Sequence, residues 1–171
     1  LEFRRVLFRS LDRFNKFWNK SGVQFAAYIP FYPDCSTSYL ADTEVAARPI
    51  RIFHGTPDDY NPVASCKAYV TRLQEAKRDV VLTEYPDSAH GFDAGLIGNN
   101  TVVEATGSQT VRRCTIKEAE GGVLMNASTQ APFSYKDVCV ELGPHVGGNP
   151  ATALEARKAV SDFLQALFKL G

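Results

Sequence analysis

Two stretches of the chain concentrate residues that can move protons. The first is His54-Gly55-Thr56-Pro57-Asp58-Asp59-Tyr60-Asn61-Pro62, and the second is Glu84-Tyr85-Pro86-Asp87-Ser88-Ala89-His90-Gly91-Phe92-Asp93. Each begins where a short apolar run ends, at residues 49–53 and 80–85. An imidazole exchanges a proton near neutral pH, and a carboxylate beside it holds the ring in one tautomer. In open α/β sheets such groups gather beyond the carboxyl ends of the strands. An acid followed by a histidine, each on a strand-end loop, suits the second and third members of a nucleophile–acid–histidine triad. His90 is the candidate base; Asp58 and Asp59 are rival acids.

The elements that must position them follow from periodicity. Residues 11–20 place Leu11, Phe14, Phe17 and Trp18 at helical spacing, and Ser21-Gly22 stops that helix. Residues 23–31 form a nearly continuous apolar run, too short for a buried helix, which predicts an interior parallel strand. Residues 49–53 and 80–85 predict two more strands. Between them Asn61 is a good N-cap and Pro62 fits the first helical position, with Val63, Cys66, Val70 and Leu73 on one face. Asn149-Pro150 repeats that start signal, before an apolar stripe of Ala153, Ala156, Val160, Phe163, Leu164 and Leu167. The alternation is that of a parallel sheet covered by helices.

The polar, glycine-rich stretch at residues 94–148 interrupts this pattern. A connection of that length carries its own structure or a function. Residues 110–117 alternate like a strand, Glu120-Gly121-Gly122 suits a hairpin turn before residues 123–125, and Ser134-x-x-Asp137 suits the cap of a short helix. The expectation is a small β-rich excursion packed on the main sheet, with residues 149–170 as the closing helix.

Composition narrows the classes. The chain has 171 residues, 44% hydrophobic and 22% charged, which fits one globular domain rather than a disordered or fibrous chain. With 19 basic and 19 acidic residues it has no excess charge for nucleic acid. No apolar run is long enough for a membrane span. Leu1 to Ser10 resembles the translation of a sequencing-library adaptor and is set aside from fold reasoning. The sequence has no initiator Met, so its true N-terminus, with any signal peptide, is expected upstream. Residues 11–171 are then read as part of one domain.

The four cysteines, Cys35, Cys66, Cys114 and Cys139, have no CxxC spacing for zinc. They fall into two local pairs, which permits disulfides Cys35–Cys66 and Cys114–Cys139 and implies an oxidising compartment, periplasmic or extracellular. The alternative is four reduced, buried thiols in a cytoplasmic protein. Asn99-Asn100-Thr101 and Asn126-Ala127-Ser128 match the glycosylation pattern, which is short enough to arise by chance. His54 reads as structural, His145 as an exposed loop residue, Asp93 as a local turn cap, and Tyr85 and Phe92 as core or pocket-wall aromatics.

Three motifs together carry a resemblance: Phe31-Tyr32-Pro33-x-Cys35, Phe53-His54-Gly55-Thr56-x-Asp58-Asp59, and Glu84-Tyr85-Pro86-x-x-x-His90-Gly91-Phe92-Asp93. Around them the chain resembles the C-terminal part of the dienelactone hydrolase family of α/β-hydrolases. One subgroup of that family is similar also in the tail, through Arg113-Cys114, Pro132-Phe133 and Asp137-x-Cys139-Val140-Glu141. The resemblance implies an α/β fold, the C-terminal part of an α/β-hydrolase, with three parallel strands, flanking helices and the β-rich excursion. It implies hydrolysis of a small-molecule ester or lactone without metal or organic cofactor. Carried over residue by residue, Asp58 matches the triad acid and His90 the base. Neighbouring activities, an acyl-peptidase or a carbohydrate esterase, share fold and triad, and a non-catalytic binding module keeps the fold alone.

The sequence departs from the family at one point. No Gly-x-Ser-x-Gly or Gly-x-Cys-x-Gly occurs, so there is no nucleophile elbow. The four cysteines are not in glycine-flanked turns after a strand. The expectation is a fragment with two members of a triad, inactive alone, whose serine or cysteine nucleophile lies upstream.

Overall fold

The structure, a computed structural model, describes residues 10–95 and 100–170. The adaptor-like residues 1–9 and Asn99 lie outside that range. Ser10 is buried, and its carbonyl accepts a hydrogen bond from the Ala46 N–H.

In chain order the elements are α1 (Asp12–Trp18), β1 (Thr37–Ser38), β2 (Ile50–Gly55), α2 (Val63–Glu75) and β3 (Val80–Tyr85). Then come β4 (Val102–Glu104), β5 (Gln109–Thr110), β6 (Ile116–Glu118), β7 (Leu124–Asn126), β8 (Ala131–Pro132), β9 (Glu141–Leu142), β10 (His145–Gly147) and α3 (Pro150–Phe168). β2 and β3 pair in parallel over their whole length, from Ile50 opposite Val80 to Gly55 opposite Tyr85, with α2 as the crossover.

The third expected strand forms only in part. Residues 23–31 make two isolated parallel bridges to β2, Tyr28 to Ile50 and Phe31 to Phe53. The ladder runs from Tyr28 N–H to the Pro49 carbonyl and from Tyr32 N–H to the Phe53 carbonyl, and it skips the carbonyl of Arg51. The residue that would bond there is Pro30, which has no N–H. Val23 and Phe25 at the start of the segment are exposed.

Side-chain alternation along β2 divides the core. Ile50 and Ile52 face a cluster with Tyr28, Tyr69, Val70, Leu73 and Val80, under α2. Phe53 faces the opposite cluster of Tyr32, Tyr85, Phe92 and Ala156, under α3. Asn149 caps α3 by accepting from the Thr152 N–H, with Pro150 in the first turn. At α2 the cap differs from expectation. Pro62 takes the cap position, and the Asn61 amide instead donates to the Tyr32 carbonyl at 3.0 Å.

The excursion is β-rich, but residues 110–117 do not make the one strand their alternation predicts: a turn at Arg112-Arg113 separates β5 from β6. β6 and β7 form an antiparallel hairpin across a 3-10 turn at Glu120–Gly122, β8 extends it, and β1 pairs in parallel on its other side. Residues 134–139 are turns rather than a capped helix: the Asp137 carboxylate accepts from Asn126, which is buried and so no place for a glycan. Among its described residues the buried apolar cluster is Val111, Cys114 and Ile116. Both disulfides form, Cys35–Cys66 and Cys114–Cys139. No described helix is long and apolar enough to cross a membrane.

So small a core leaves the excursion dependent on its crosslink. The sequence separation across Cys114–Cys139 is 25; replacing both with Ala is expected to cost about 3 kcal/mol through a less constrained unfolded chain. Denaturant unfolding of the variant against the oxidised chain checks this, with native mass finding no free thiol in the latter.

Candidate functional site

The site is built by two loops that leave the same end of β2 and β3. Thr56 N–H donates to the Tyr85 carbonyl at 2.9 Å, and its hydroxyl donates to the Pro86 carbonyl at 3.0 Å, so the loops start zipped together. Gly55 makes the closest approach. A Cβ added there would sit 1.6 Å from the Ser88 carbonyl oxygen, a backbone atom that cannot swing aside. Two residues later His90 turns back through Gly91, whose φ of +80° lies in the left-handed region. Ser88 is buried and donates to the Thr152 hydroxyl at 2.9 Å, which fixes the second loop to the start of α3.

These constraints bring His90 and Asp58 together. His90 Nδ1 lies 3.0 Å from Asp58 Oδ2, and the carboxylate is fully buried. The other oxygen, Oδ1, accepts from the backbone N–H groups of Tyr60 at 2.9 Å and Asn61 at 2.8 Å. The two Asp58 oxygens thus meet three partners, the arrangement a buried carboxyl group needs. With Nδ1–H donating to Asp58, the His90 ring presents a bare Nε2 lone pair. The His90 side chain is 17% exposed, unlike the fully buried carboxylate it meets.

The ring itself is clamped. Tyr60 stacks on it with centroids 4.5 Å apart and 23° between planes, and Tyr32 lies tilted on it, also at 4.5 Å. Tyr32 is held in a strained backbone conformation, φ +35°, by the Phe53 carbonyl on its N–H, Asn61 on its carbonyl, and Asp93, which accepts from its hydroxyl at 2.9 Å. Burial, then the Asp93 charge, pushes the Tyr32 phenol well above its ordinary range, so it stays a neutral donor. Asp93 is thus a partner of Tyr32 across the site rather than a cap of its own turn. Neither tyrosine stood out in sequence; the signal was the Phe-Tyr-Pro-x-Cys pattern around Tyr32.

Asp59 points elsewhere. It accepts from the His145 backbone N–H at 2.7 Å and meets the His145 ring at 2.9 Å and Arg112 at 2.6 Å. Burial alone would raise its carboxyl, but the His145 hydrogen bonds and the Arg112 charge hold it below the usual range. His145 is exposed, as its glycine-rich surroundings suggested, yet it is bonded rather than free.

His54 lies fully buried at the end of β2, with Nδ1–H donating to the Gly55 carbonyl at 3.0 Å and Asp58 Oδ2 at 3.9 Å. Its Nε2 has no hydrogen-bond partner. Burial disfavours a charged ring and lowers the His54 pKa from its ordinary 6.5, against the opposing pull of the Gly55 and Pro33 carbonyls and the Asp58 carboxylate. His54 is structural, a neutral ring under the acid. Among the described residues no group of three or more His, Cys, Asp or Glu side chains gathers to hold a metal.

A parallel β–α–β unit with an acid and a histidine in hydrogen-bond contact at its carboxyl edge defines an α/β protein with an acid–base site. The chain belongs to the dienelactone hydrolase family: that family's model matches residues 17–110, more than half of it, and with it comes the α/β-hydrolase fold. The match takes in Tyr32, Asp58 and His90, and ends before the tail motifs at 113–141. No curated protein and no solved structure matches the chain.

Two outcomes are expected from this geometry. Gly55→Ala must separate the loops or bend β2, lowering stability by about 2 kcal/mol or more, which chemical denaturation checks. His54 is neutral when folded but takes a proton when unfolded. Its contribution to stability is present above the unfolded value near 6.5 and is lost as pH falls below it. Unfolding free energy is expected to drop between about pH 7 and pH 5, and His54→Gln to flatten that slope.

Proposed function

We propose that this chain carries the acid and the base of a carboxylic ester or lactone hydrolase that works by a nucleophile–His–Asp triad. The observation that carries the reading is the 3.0 Å contact from His90 Nδ1 to a fully buried Asp58 carboxylate with its other oxygen bound by two backbone N–H groups. Family membership supports hydrolysis and a small-molecule substrate.

The roles follow from the bonding. His90 Nε2 takes the proton of a serine or cysteine as that residue attacks the ester carbonyl carbon. The proton then passes to the leaving alcohol oxygen as its bond to carbon breaks, or to the ring-opened end of a lactone. Water attacks the acyl-enzyme, again giving its proton to Nε2, and the acid leaves as the nucleophile regains its hydrogen. Asp58 stays ionised and stabilises the imidazolium formed in each half-reaction. The Tyr32 and Tyr60 faces suit a ring that becomes a cation, since their π-clouds attract positive charge. Every step is acid–base and covalent chemistry and calls on no metal or organic cofactor.

The reading calls on a serine or cysteine nucleophile that no Gly-x-Ser-x-Gly or Gly-x-Cys-x-Gly turn of this sequence supplies. Two disulfides favour an oxidising compartment, the periplasm or the cell exterior.

The test uses the gene extended upstream and its protein product. In that enzyme His90→Ala and Asp58→Asn are each expected to cut kcat/KM for an activated ester by about 10³-fold or more with the fold retained. Near-native turnover in both variants would defeat the assignment. The chain as it stands is expected to give no acyl-enzyme burst.

A further inference from the structure

The chain presents two consecutive aspartates, each bound to a different histidine. Asp58 serves His90, and Asp59 serves His145 with both of its oxygens: Oδ1 accepts from the His145 backbone and Oδ2 lies 2.9 Å from its ring nitrogen. His145 opens β10, and β10 also reaches the other site loop. Gly147 N–H donates to the His90 carbonyl at 2.9 Å, with Val146 bridged in parallel to His90. Just beyond, Asn149 N–H donates to the Phe92 carbonyl at 2.9 Å. One extended run of five residues therefore bonds the loop of the acid at its beginning and the loop of the base at its middle and end.

The excursion grips the acid loop at two further points. The Thr110 hydroxyl donates to the Tyr60 carbonyl at 2.6 Å, and Arg112 reaches both the Asp59 carboxylate and, at 3.2 Å, its carbonyl. Arg112 is itself held by Glu141 on β9, which also meets Arg113. These grips are polar and act on the carbonyls of the very peptide groups whose N–H bind Asp58.

We propose that Asp59 and His145 are positioning residues: their couple, carried by the 145–149 run, clasps the two site loops so that Asp58 and His90 stay in hydrogen-bond register. This rests on the assignment of those two as the working acid and base. The physical reason is that a shift of about 1 Å between catalytic groups costs on the order of 100-fold in rate. β2 and β3 set the separation at the base of the loops through Gly55 and Ser88. At the loop tips, where the acid and base meet, Tyr32 links the two loops through Asn61 and Asp93, and the clasp links them a second time on the excursion side. Asp59 was the rival acid in sequence, and the structure assigns it this separate task.

The test has a readout in this chain and one in the extended enzyme. In the chain, the proton shared by His90 Nδ1 and Asp58 is expected to give a far-downfield NMR resonance, assigned by its loss in Asp58→Asn. It is expected to broaden by faster exchange in His145→Ala, which keeps the backbone bond to Asp59 and loses the ring bond. His145→Asn, whose amide nitrogen takes the place of Nδ1, is expected to restore it. In the extended enzyme His145→Ala is expected to lower kcat about tenfold with KM within about twofold, and Asp59→Ala to lower it further. Circular dichroism and melting temperature verify folding. His145 is half exposed, so its two variants decide the matter if Asp59→Ala does not fold. An unchanged resonance and unchanged kcat in His145→Ala would overturn the clasp. Turnover surviving His90→Ala would instead overturn the hydrolase assignment, while the resonance would still report on the clasp.

Discussion

The contact between Gly55 and the Ser88 carbonyl governs how the rest of this molecule can be arranged. Two parallel strands end in register, and their loops must leave side by side without a side chain between them. With a hydrogen at that position the second loop lies directly over the first, and His90 arrives above Asp58. Any larger residue there wedges the loops apart. The acid–base couple, the tyrosine clamp and the bonds to the excursion all presuppose this close approach.

A buried carboxylate is tolerable only when its lone pairs are used. Asp58 meets that condition through backbone donors of its own loop and a single ring nitrogen, so its charge is committed in one direction. The same economy appears in His54, kept neutral beneath it by burial, and in Tyr32, kept protonated by burial and by Asp93. The site thus places two carboxylates, Asp58 and Asp93, either side of one imidazole and a neutral phenol. That is the electrostatic setting in which a proton moves between a nucleophile and an imidazole rather than leaking to other groups.

The excursion is attached to this site more than it is to a core of its own. Its described buried cluster is three residues, one of them a disulfide cysteine, while its polar groups reach the loop carrying Asp58 and its backbone the loop carrying His90. A segment of that kind holds its shape through crosslink and hydrogen bonds. Its geometry is then coupled to whatever it grips.

Much of the frame was legible in sequence because it depends on local rules. The apolar runs at 49–53 and 80–85 form the paired strands β2 and β3, Asn149-Pro150 announces a helix, and the pairing of cysteines by proximity proved to be the pairing in space. Asp58 and His90 were singled out by their order and by the strand ends they follow, and the structure brings them within 3.0 Å. Where the reading failed, a local rule met a non-local competitor. Asn61 gave up its helix cap to reach Tyr32, Asp137 turned to Asn126 instead of capping a helix, and Pro30 broke a ladder that hydrophobicity alone would have continued. The partners of Tyr32, Tyr60 and Asp59 lie between 29 and 86 positions away or across the sheet, so periodicity carries no trace of them. The order of residues determined which groups could do chemistry and on which loops they sit. Only the folded chain decided which aspartate faces which histidine, because that choice depends on where distant backbone donors come to rest.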